Sequence, residues 1–148
     1  MRAVFDANIY VSAALTPKGI PGRLLMLFLA KDPPFELVLS PAIESELTRA
    51  FDYPRVRRHL KAPVAGWLED LTLLADVVED SSLEERASDD PDDDKYLAAA
   101  LAGRADVVVT GDKDLLRLED YQGVRILSPR QFLELVESSS EPGRKTRS

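Results

Sequence analysis

Short β-prone runs alternate with helical segments along the chain, and this alternation most constrains what it can fold into. The runs lie at residues 3–5, 35–39, 76–79, 106–109 and 124–127. Segments with helical spacing or helix-start signals separate them. This order predicts an α/β fold, a three-layer α/β/α sandwich with a mainly parallel central sheet. Such sheets bind ligands at the carboxyl ends of their strands, so the residues that follow each run are the first candidates for a site.

Two Ser-Pro pairs mark helix starts. Ser40-Pro41 and Ser128-Pro129 each combine a side chain that can cap free amides with a proline suited to the first helical position. We expect these helices to end near Phe51 and Glu137. A further helix is expected over Asp92–Ala102, which is rich in Ala and Leu and is followed by a glycine.

The length of 148 residues fits one domain, which we place at residues 1–137. Residues 138–148 carry no apolar side chain and are predicted to form a disordered tail. The chain has no cysteine, and no apolar run approaches the roughly 20 residues that span a bilayer. The acid at position 6 comes too early for the apolar region of a signal peptide. We therefore expect a cytoplasmic protein with no disulfides, no thiolate metal site and no membrane partner.

Charge is distributed unevenly. The net charge of −7 argues against a passive nucleic-acid-binding module, because phosphate contacts need Lys and Arg. Residues 49–61 nevertheless hold five basic side chains and the only histidine. His59 is expected to be a surface residue rather than a general base. The basic residues are candidates for a local surface that approaches nucleic-acid phosphates, with a solvated helix face as an equally weighted alternative: Arg49, Arg55, Arg57, Arg58 and Lys61.

Acidic residues follow several of the predicted strands. Asp6 follows the first strand and Glu46 lies in the second turn of the helix after the second strand. The remaining acids follow the fourth strand or begin the helix expected at Asp92: Asp112, Asp114, Asp93 and Asp94. Each acid alone also fits a plain structural role. It can be a turn residue, a helix cap, an acid in the first turn of a helix that complements the helix dipole, or a solvent-exposed side chain. Their joint placement at one sheet edge favours a site.

Carboxylates that gather without cations raise each other's pKa, and a hard divalent cation such as Mg²⁺ resolves the conflict. One or two such ions can activate water and stabilise the charge that develops on a phosphodiester. Water would then be the nucleophile, which fits a chain with no cysteine and one histidine.

Four motifs resemble those of the PIN-domain family, in particular its bacterial and archaeal branch of toxin–antitoxin toxins. Each motif alone is weak, but four in the family's order across nearly the whole chain are a specific signal. They are Val4-Phe5-Asp6-Ala7-Asn8-Ile9-Tyr10, Ser40-Pro41-Ala42-Ile43-Glu44-Ser45-Glu46-Leu47, Asp90-Pro91-Asp92-Asp93-Asp94-Lys95-Tyr96-Leu97 and Val109-Thr110-Gly111-Asp112-Lys113-Asp114-Leu115-Leu116.

The resemblance implies a three-layer α/β/α ribonuclease that cleaves single-stranded RNA with Mg²⁺ or Mn²⁺ held by four acids. By position, these are Asp6, Glu46, Asp112 and one of Asp93 and Asp94. The motif of the toxin branch favours Asp93, whereas the general family pattern favours Asp94. The resemblance also implies that Asp114 is either an auxiliary metal ligand or a group that supports the ligands. By position, Asn8, Ser40 and Thr110 are polar supports that orient carboxylates or metal-bound water. A small antitoxin partner and a homodimer are implied as well. With RNA as the implied substrate, the five basic residues within 49–61 become the candidates for RNA contact.

Three other functions are less favoured by the residues. A haloacid-dehalogenase-type phosphatase needs Asp-x-Asp after the first strand, but here Asp6 is followed by Ala7-Asn8. A receiver-like phosphoryl-transfer domain needs a lysine on its last strand, and residues 124–127 contain none. A non-catalytic scaffold with the same fold is disfavoured by the intact set of acids.

Overall fold

A computed structural model describes residues 1–60, 64–83 and 93–139 of the chain. The strands are β1 (Arg2–Phe5), β2 (Glu36–Leu39), β3 (Asp76–Val77), β4 (Val107–Val109), β5 (Asp120–Tyr121) and β6 (Val124–Leu127). The helices are α1 (Ala7–Leu15), α2 (Ile20–Leu29), α3 (Pro41–Asp52), α4 (Pro54–His59), α5 (Val64–Leu74), α6 (Asp94–Ala102), α7 (Lys113–Leu116) and α8 (Pro129–Ser139).

The strands form one sheet in the order β3-β2-β1-β4-β6-β5. Pairing is parallel throughout except between β5 and β6. Helix α6 packs on β1, β2 and β4, and α8 packs on β6 and α2. The predicted three-layer sandwich with a mainly parallel sheet is thus confirmed. Because β1, β2 and β4 run in the same direction, the residues that follow them meet at one edge of the sheet.

An aromatic cluster fixes the centre of the sheet. The ring of Phe5, the last residue of β1, lies 5.7 Å from that of Phe35 and 5.8 Å from that of Phe132, centroid to centroid. The rings of Phe35 and Phe132 are 5.0 Å apart and nearly perpendicular, an arrangement that aromatic pairs favour. This packing anchors β1 to α8 and so fixes the position of Asp6, the next residue.

Side-chain caps begin α3 and α8, the two helices predicted to start at Ser-Pro pairs. Ser40 Oγ accepts a hydrogen bond from the backbone N–H of Ile43 at 3.3 Å. Ser128 and Gln131 cap each other at the start of α8, with N···O distances of 2.9 and 3.1 Å. Helix α8 continues to Ser139, two residues beyond the expected end. Residues 140–148 of the expected tail lie outside the described residues, and the domain boundary stays a prediction.

Strand β5 was not predicted from the sequence. This strand pairs with β6 through a tight turn at Gln122 and Gly123, whose φ angles are 49° and 89°. Positive φ at both central residues suits the twist of a two-residue hairpin. Strand β3 is also shorter than predicted and ends at Val77. In the part of the chain that the structure describes, no helix has the length and apolar character to cross a bilayer.

Candidate active site

A cleft of about 310 Å³ opens at the carboxyl edge of the sheet. Residues from α1, α3, α4 and α6, together with those that follow β1 and β4, form its walls. Four of the predicted acids line the cleft: Asp6, Glu46, Asp93 and Asp112. The wall is completed by Asn8, which was predicted as a support, by two tyrosines and by small apolar side chains.

Asp6 is the least exposed of the four acids, and both of its carboxylate oxygens accept hydrogen bonds. It is 4% exposed and caps α1, with Oδ1 accepting from the backbone N–H of Asn8 at 2.6 Å. Its Oδ2 accepts from the hydroxyl of Thr110 at 2.5 Å. Burial raises the pKa of Asp6 despite these hydrogen bonds, and the nearby charge of Asp112 raises it further. The ionised form of Asp6 is therefore poorly stabilised by its surroundings, and a cation bound nearby would stabilise it.

Asp112 is held by the same polar support. Its backbone N–H donates to the hydroxyl oxygen of Thr110 at 2.9 Å. Its own Oδ1 accepts from the backbone N–H of Asp114 at 2.7 Å and so caps α7. Thr110 thus bridges the segments that carry Asp6 and Asp112. The role predicted for Thr110, as a support for metal ligands, stays a prediction.

Glu46 is paired with two cations. Its Oε1 lies 2.7 Å from Nζ of Lys95, and its Oε2 lies 3.6 Å from Arg49. The hydrogen bond from Lys95 is the main reason that the pKa of Glu46 lies below its ordinary value. Arg49, predicted to contact RNA, thus serves in this structure as a partner of a cleft acid.

The structure places Asp93, rather than Asp94, on the wall of the cleft. Asp93 immediately precedes α6, with helical backbone angles, and is 6% exposed. Asp94 is the first residue of α6, is half-buried and is not part of the lining. Of the two alternatives left open by the sequence, the geometry therefore favours Asp93 as the third acid.

Two further predicted residues lie off the cleft wall. The side chain of Asp114 is paired with Arg117 at 2.8 Å. Ser40 is buried and caps α3 without lining the cleft. Neither side chain lines the cleft in this structure, and the roles predicted for Asp114 and Ser40 stay predictions.

The basic residues of α4 lie on a helix that contributes Val56 to the cleft wall. The side chains of Arg55, Arg57 and Arg58 are exposed, and Arg57 is within 3.9 Å of Asp52. Lys61, also predicted to contact RNA, lies outside the described residues. His59 is exposed, and its Nδ1 is 2.9 Å from the carbonyl oxygen of Arg55, which agrees with a surface role.

Two residues of the cleft wall, Tyr53 and Tyr96, and one residue that pairs with a cleft acid, Lys95, were not predicted from the sequence. Lys95 went unnoticed because a lysine in a charged stretch usually lies in solvent. Tyr53 was treated only as punctuation before Pro54, yet it lines the cleft and is 67% exposed. Tyr96 also lines the cleft, and its hydroxyl oxygen accepts the backbone N–H of Ala7 at 3.1 Å. Burial raises the pKa of Tyr96, so this residue stays protonated.

The donor chemistry of the cleft suits a hard divalent cation, because the available side-chain ligands are carboxylate oxygens. Within residues 1–60, 64–83 and 93–139, however, no three acidic or histidine side chains converge closely enough to enclose a cation as they stand. Mg²⁺ commonly keeps several waters and takes only one or two carboxylates directly. A water-accessible cleft with acids on several walls therefore fits such an ion.

Comparison with known proteins agrees with this architecture. A family model described as PIN domain matches residues 2–114, a range that contains all four acids of the cleft. An uncharacterized protein of Methanocaldococcus jannaschii is 28% identical over 147 residues, and the match covers 93% of this chain and 92% of that protein.

Proposed function

The chain belongs to the PIN-domain family, whose members are generally nucleases, and we propose that it is a metal-dependent endoribonuclease that cleaves single-stranded RNA. The observation that carries the proposal is the meeting of Asp6, Glu46, Asp93 and Asp112 in one cleft at the carboxyl edge of the sheet. These side chains come from four separate places in the sequence. A purely structural role for each acid would give no reason for them to meet.

The four acids would hold Mg²⁺ or Mn²⁺, which supplies an activated water and stabilises the negative charge that develops at phosphorus. Hydrolysis adds the water oxygen to phosphorus and breaks one P–O ester bond, and the departing oxygen takes up a proton. Thr110 keeps Asp6 and Asp112 in place during this reaction. Tyr96 keeps the start of α1 in place through Ala7. Asp114 would help indirectly, since its backbone N–H orients Asp112.

The preference for single-stranded RNA is supported by the rim of the cleft. Tyr53 exposes an aromatic ring there, and unpaired bases stack on such rings. The next helix, α4, exposes Arg55 and Arg58, which suit backbone phosphates. Paired bases are already stacked within a duplex, so this combination favours a single strand.

We also propose that the enzyme is a cytoplasmic toxin of a toxin–antitoxin pair and that it forms a homodimer. The support is the resemblance of its four motifs to those of that branch. A small antitoxin that blocks this cleft would need a basic side chain to satisfy its acids. Light scattering of the purified chain, alone and with proteins encoded beside it, tests both proposals.

One observation favours a non-catalytic scaffold as the second candidate. Glu46 is already paired with Lys95 and Arg49, so its charge is satisfied without a metal. A scaffold of this kind would keep the fold while neither binding metal nor cleaving RNA.

Cleavage of a fluorescent single-stranded RNA with Mg²⁺, Mn²⁺ or EDTA separates these candidates. We expect metal-dependent cleavage that is lost in Asp6→Asn and in Asp112→Asn. Asp32→Asn removes an exposed carboxylate before β2, at the opposite edge of the sheet, and is expected to cleave as the wild type does. Absence of both cleavage and calorimetric metal binding would establish the scaffold. Metal binding without cleavage of any RNA would leave a phosphoryl-transfer enzyme with another substrate.

A further inference from the structure

Lys95 occupies an unusual position for a lysine. It is the second residue of α6, where the helix dipole disfavours a positive charge. Its side chain is only 15% exposed, and lysine is seldom buried to this extent unless it is paired. Its Nζ also lies 5.6 Å from the ring centroid of Tyr96, which lines the cleft. The ion pair with Glu46 therefore offsets an otherwise unfavourable location for the Lys95 charge.

The contact with Glu46 is the strongest feature of this arrangement. The Nζ–Oε1 distance of 2.7 Å is typical of a charge-assisted hydrogen bond, and the pair joins α6 to α3. With Arg49 near Oε2, both carboxylate oxygens of Glu46 face a cation. A divalent cation that took Glu46 as a ligand would have to share or replace these contacts.

We propose that Lys95 is the resident counter-ion of the cleft and competes with the divalent cation for Glu46. In the metal-free protein its ammonium group neutralises Glu46. When the cation binds, the ammonium group moves away from Glu46. Because the ion pair has to break, the net free energy of metal binding is smaller than it would be without Lys95. Lys95 is thus a positioning residue that sets the metal affinity of the site. This inference rests on the proposed metal-dependent function.

Calorimetric titration of Mn²⁺ into the metal-free protein tests the competition. Lys95→Met keeps the apolar stem and removes the charge, and we expect it to bind Mn²⁺ about 10-fold more tightly than the wild type, a gain within the usual range for coupled sites. Lys95→Arg keeps the charge and is expected to remain near the wild-type affinity. Lys31→Met removes an exposed lysine near the amino end of β2, opposite the cleft, and is expected to change nothing.

The Glu46→Gln background makes the test specific. Without the Glu46 charge, we expect Lys95→Met to tighten Mn²⁺ binding by only about 2-fold, because the pair that it relieves no longer exists. Circular dichroism checks the fold, and Lys95→Gln replaces Lys95→Met if the latter does not fold.

Unchanged or weaker Mn²⁺ binding by folded Lys95→Met, beside a wild type that binds Mn²⁺, would overturn the competition and leave the proposed function standing. Absence of Mn²⁺ binding in the wild type and in every variant would overturn both. Binding by Lys95→Met alone would support the competition in its strongest form.

Discussion

The hydroxyl of Thr110 donates to Oδ2 of Asp6 across 2.5 Å, in a position where Thr110 has no solvent exposure. The same oxygen accepts the backbone N–H of Asp112. A single buried hydroxyl therefore holds together two acids that approach the cleft from β1 and β4. Threonine suits this position because its hydroxyl donates and accepts at once.

Thr110→Val keeps the shape of this side chain and removes both hydrogen bonds. We expect the free energy of unfolding to fall by about 2 kcal/mol, because a buried carboxylate and a backbone N–H both lose a partner. The hydrogen bond from Thr110 also lowers the pKa of Asp6, so its loss raises that pKa and moves metal binding to higher pH. Urea unfolding and Mn²⁺ titration at several pH values measure the two effects.

Thr48→Val is the matched control, because the Thr48 hydroxyl is exposed and donates to the backbone carbonyl of Glu44 within α3. We expect its stability to stay within about 0.5 kcal/mol of the wild type. Equal stability of Thr110→Val and Thr48→Val would show that the bridge contributes nothing to the fold.

Asp6→Asn is expected to stabilise the metal-free protein at neutral pH. The pKa of Asp6 is raised by folding, so the folded protein holds this proton more tightly than the unfolded chain does. The ionised carboxylate then costs stability, and the cost develops as the pH rises from the ordinary value of 3.8 through the raised pKa. Asparagine carries no such charge, and we expect a gain of about 1 kcal/mol.

Urea unfolding in EDTA at neutral and acid pH measures this difference. The gain should vanish below the ordinary pKa, where the wild-type Asp6 is protonated in both states. Exposed Asp32→Asn should give no gain at either pH. Lower stability of Asp6→Asn at neutral pH would mean that the hydrogen bonds from Thr110 and Asn8 outweigh the cost of burial.

The sequence predicted the layers of the fold and the sheet edge that carries the acids, because strand periodicity and helix caps are local signals. The sequence did not decide whether Asp93 or Asp94 is the third acid of the site. The two are neighbours, and the residue at which α6 begins determines which of them faces the cleft. The sequence missed Lys95 for another reason. The pair that Lys95 makes with Glu46 depends on how α6 approaches α3, and no local pattern encodes that approach.

Two glycines differ in what the fold requires of them. A Cβ added at Gly22 would lie 2.0 Å from the carbonyl oxygen of Pro17, whereas one added at Gly111 meets nothing within 4 Å. We expect Gly22→Ala to destabilise the protein by about 3 kcal/mol, because backbone atoms have to move. Gly111→Ala should fold as the wild type does, although Gly111 lies in the Thr-Gly-Asp motif. Thermal unfolding of both variants checks this contrast, and equal melting temperatures would contradict it.

The exposed arginines of α4 are expected to contribute to RNA affinity through charge alone. Arg55 and Arg58 are exposed on a helix that contributes to the cleft, so each can neutralise a phosphate of a bound strand. Replacing both with Gln should weaken binding of a short single-stranded RNA. It should also reduce the slope of log affinity against log salt by about 1.4, because each phosphate contact on a single strand contributes about 0.7.

Fluorescence anisotropy in the Asp112→Asn background measures this slope without cleavage. The matched control is Lys31→Gln with Arg104→Gln, because both exposed side chains precede strands and so lie at the opposite edge of the sheet. This control changes the net charge by the same amount as the replacement of Arg55 and Arg58. Any decrease in slope larger than that of the control is therefore due to the position of these arginines on α4. Equal slopes for the two double variants would mean that α4 is only a solvated basic face, and RNA would then approach the acids from another side.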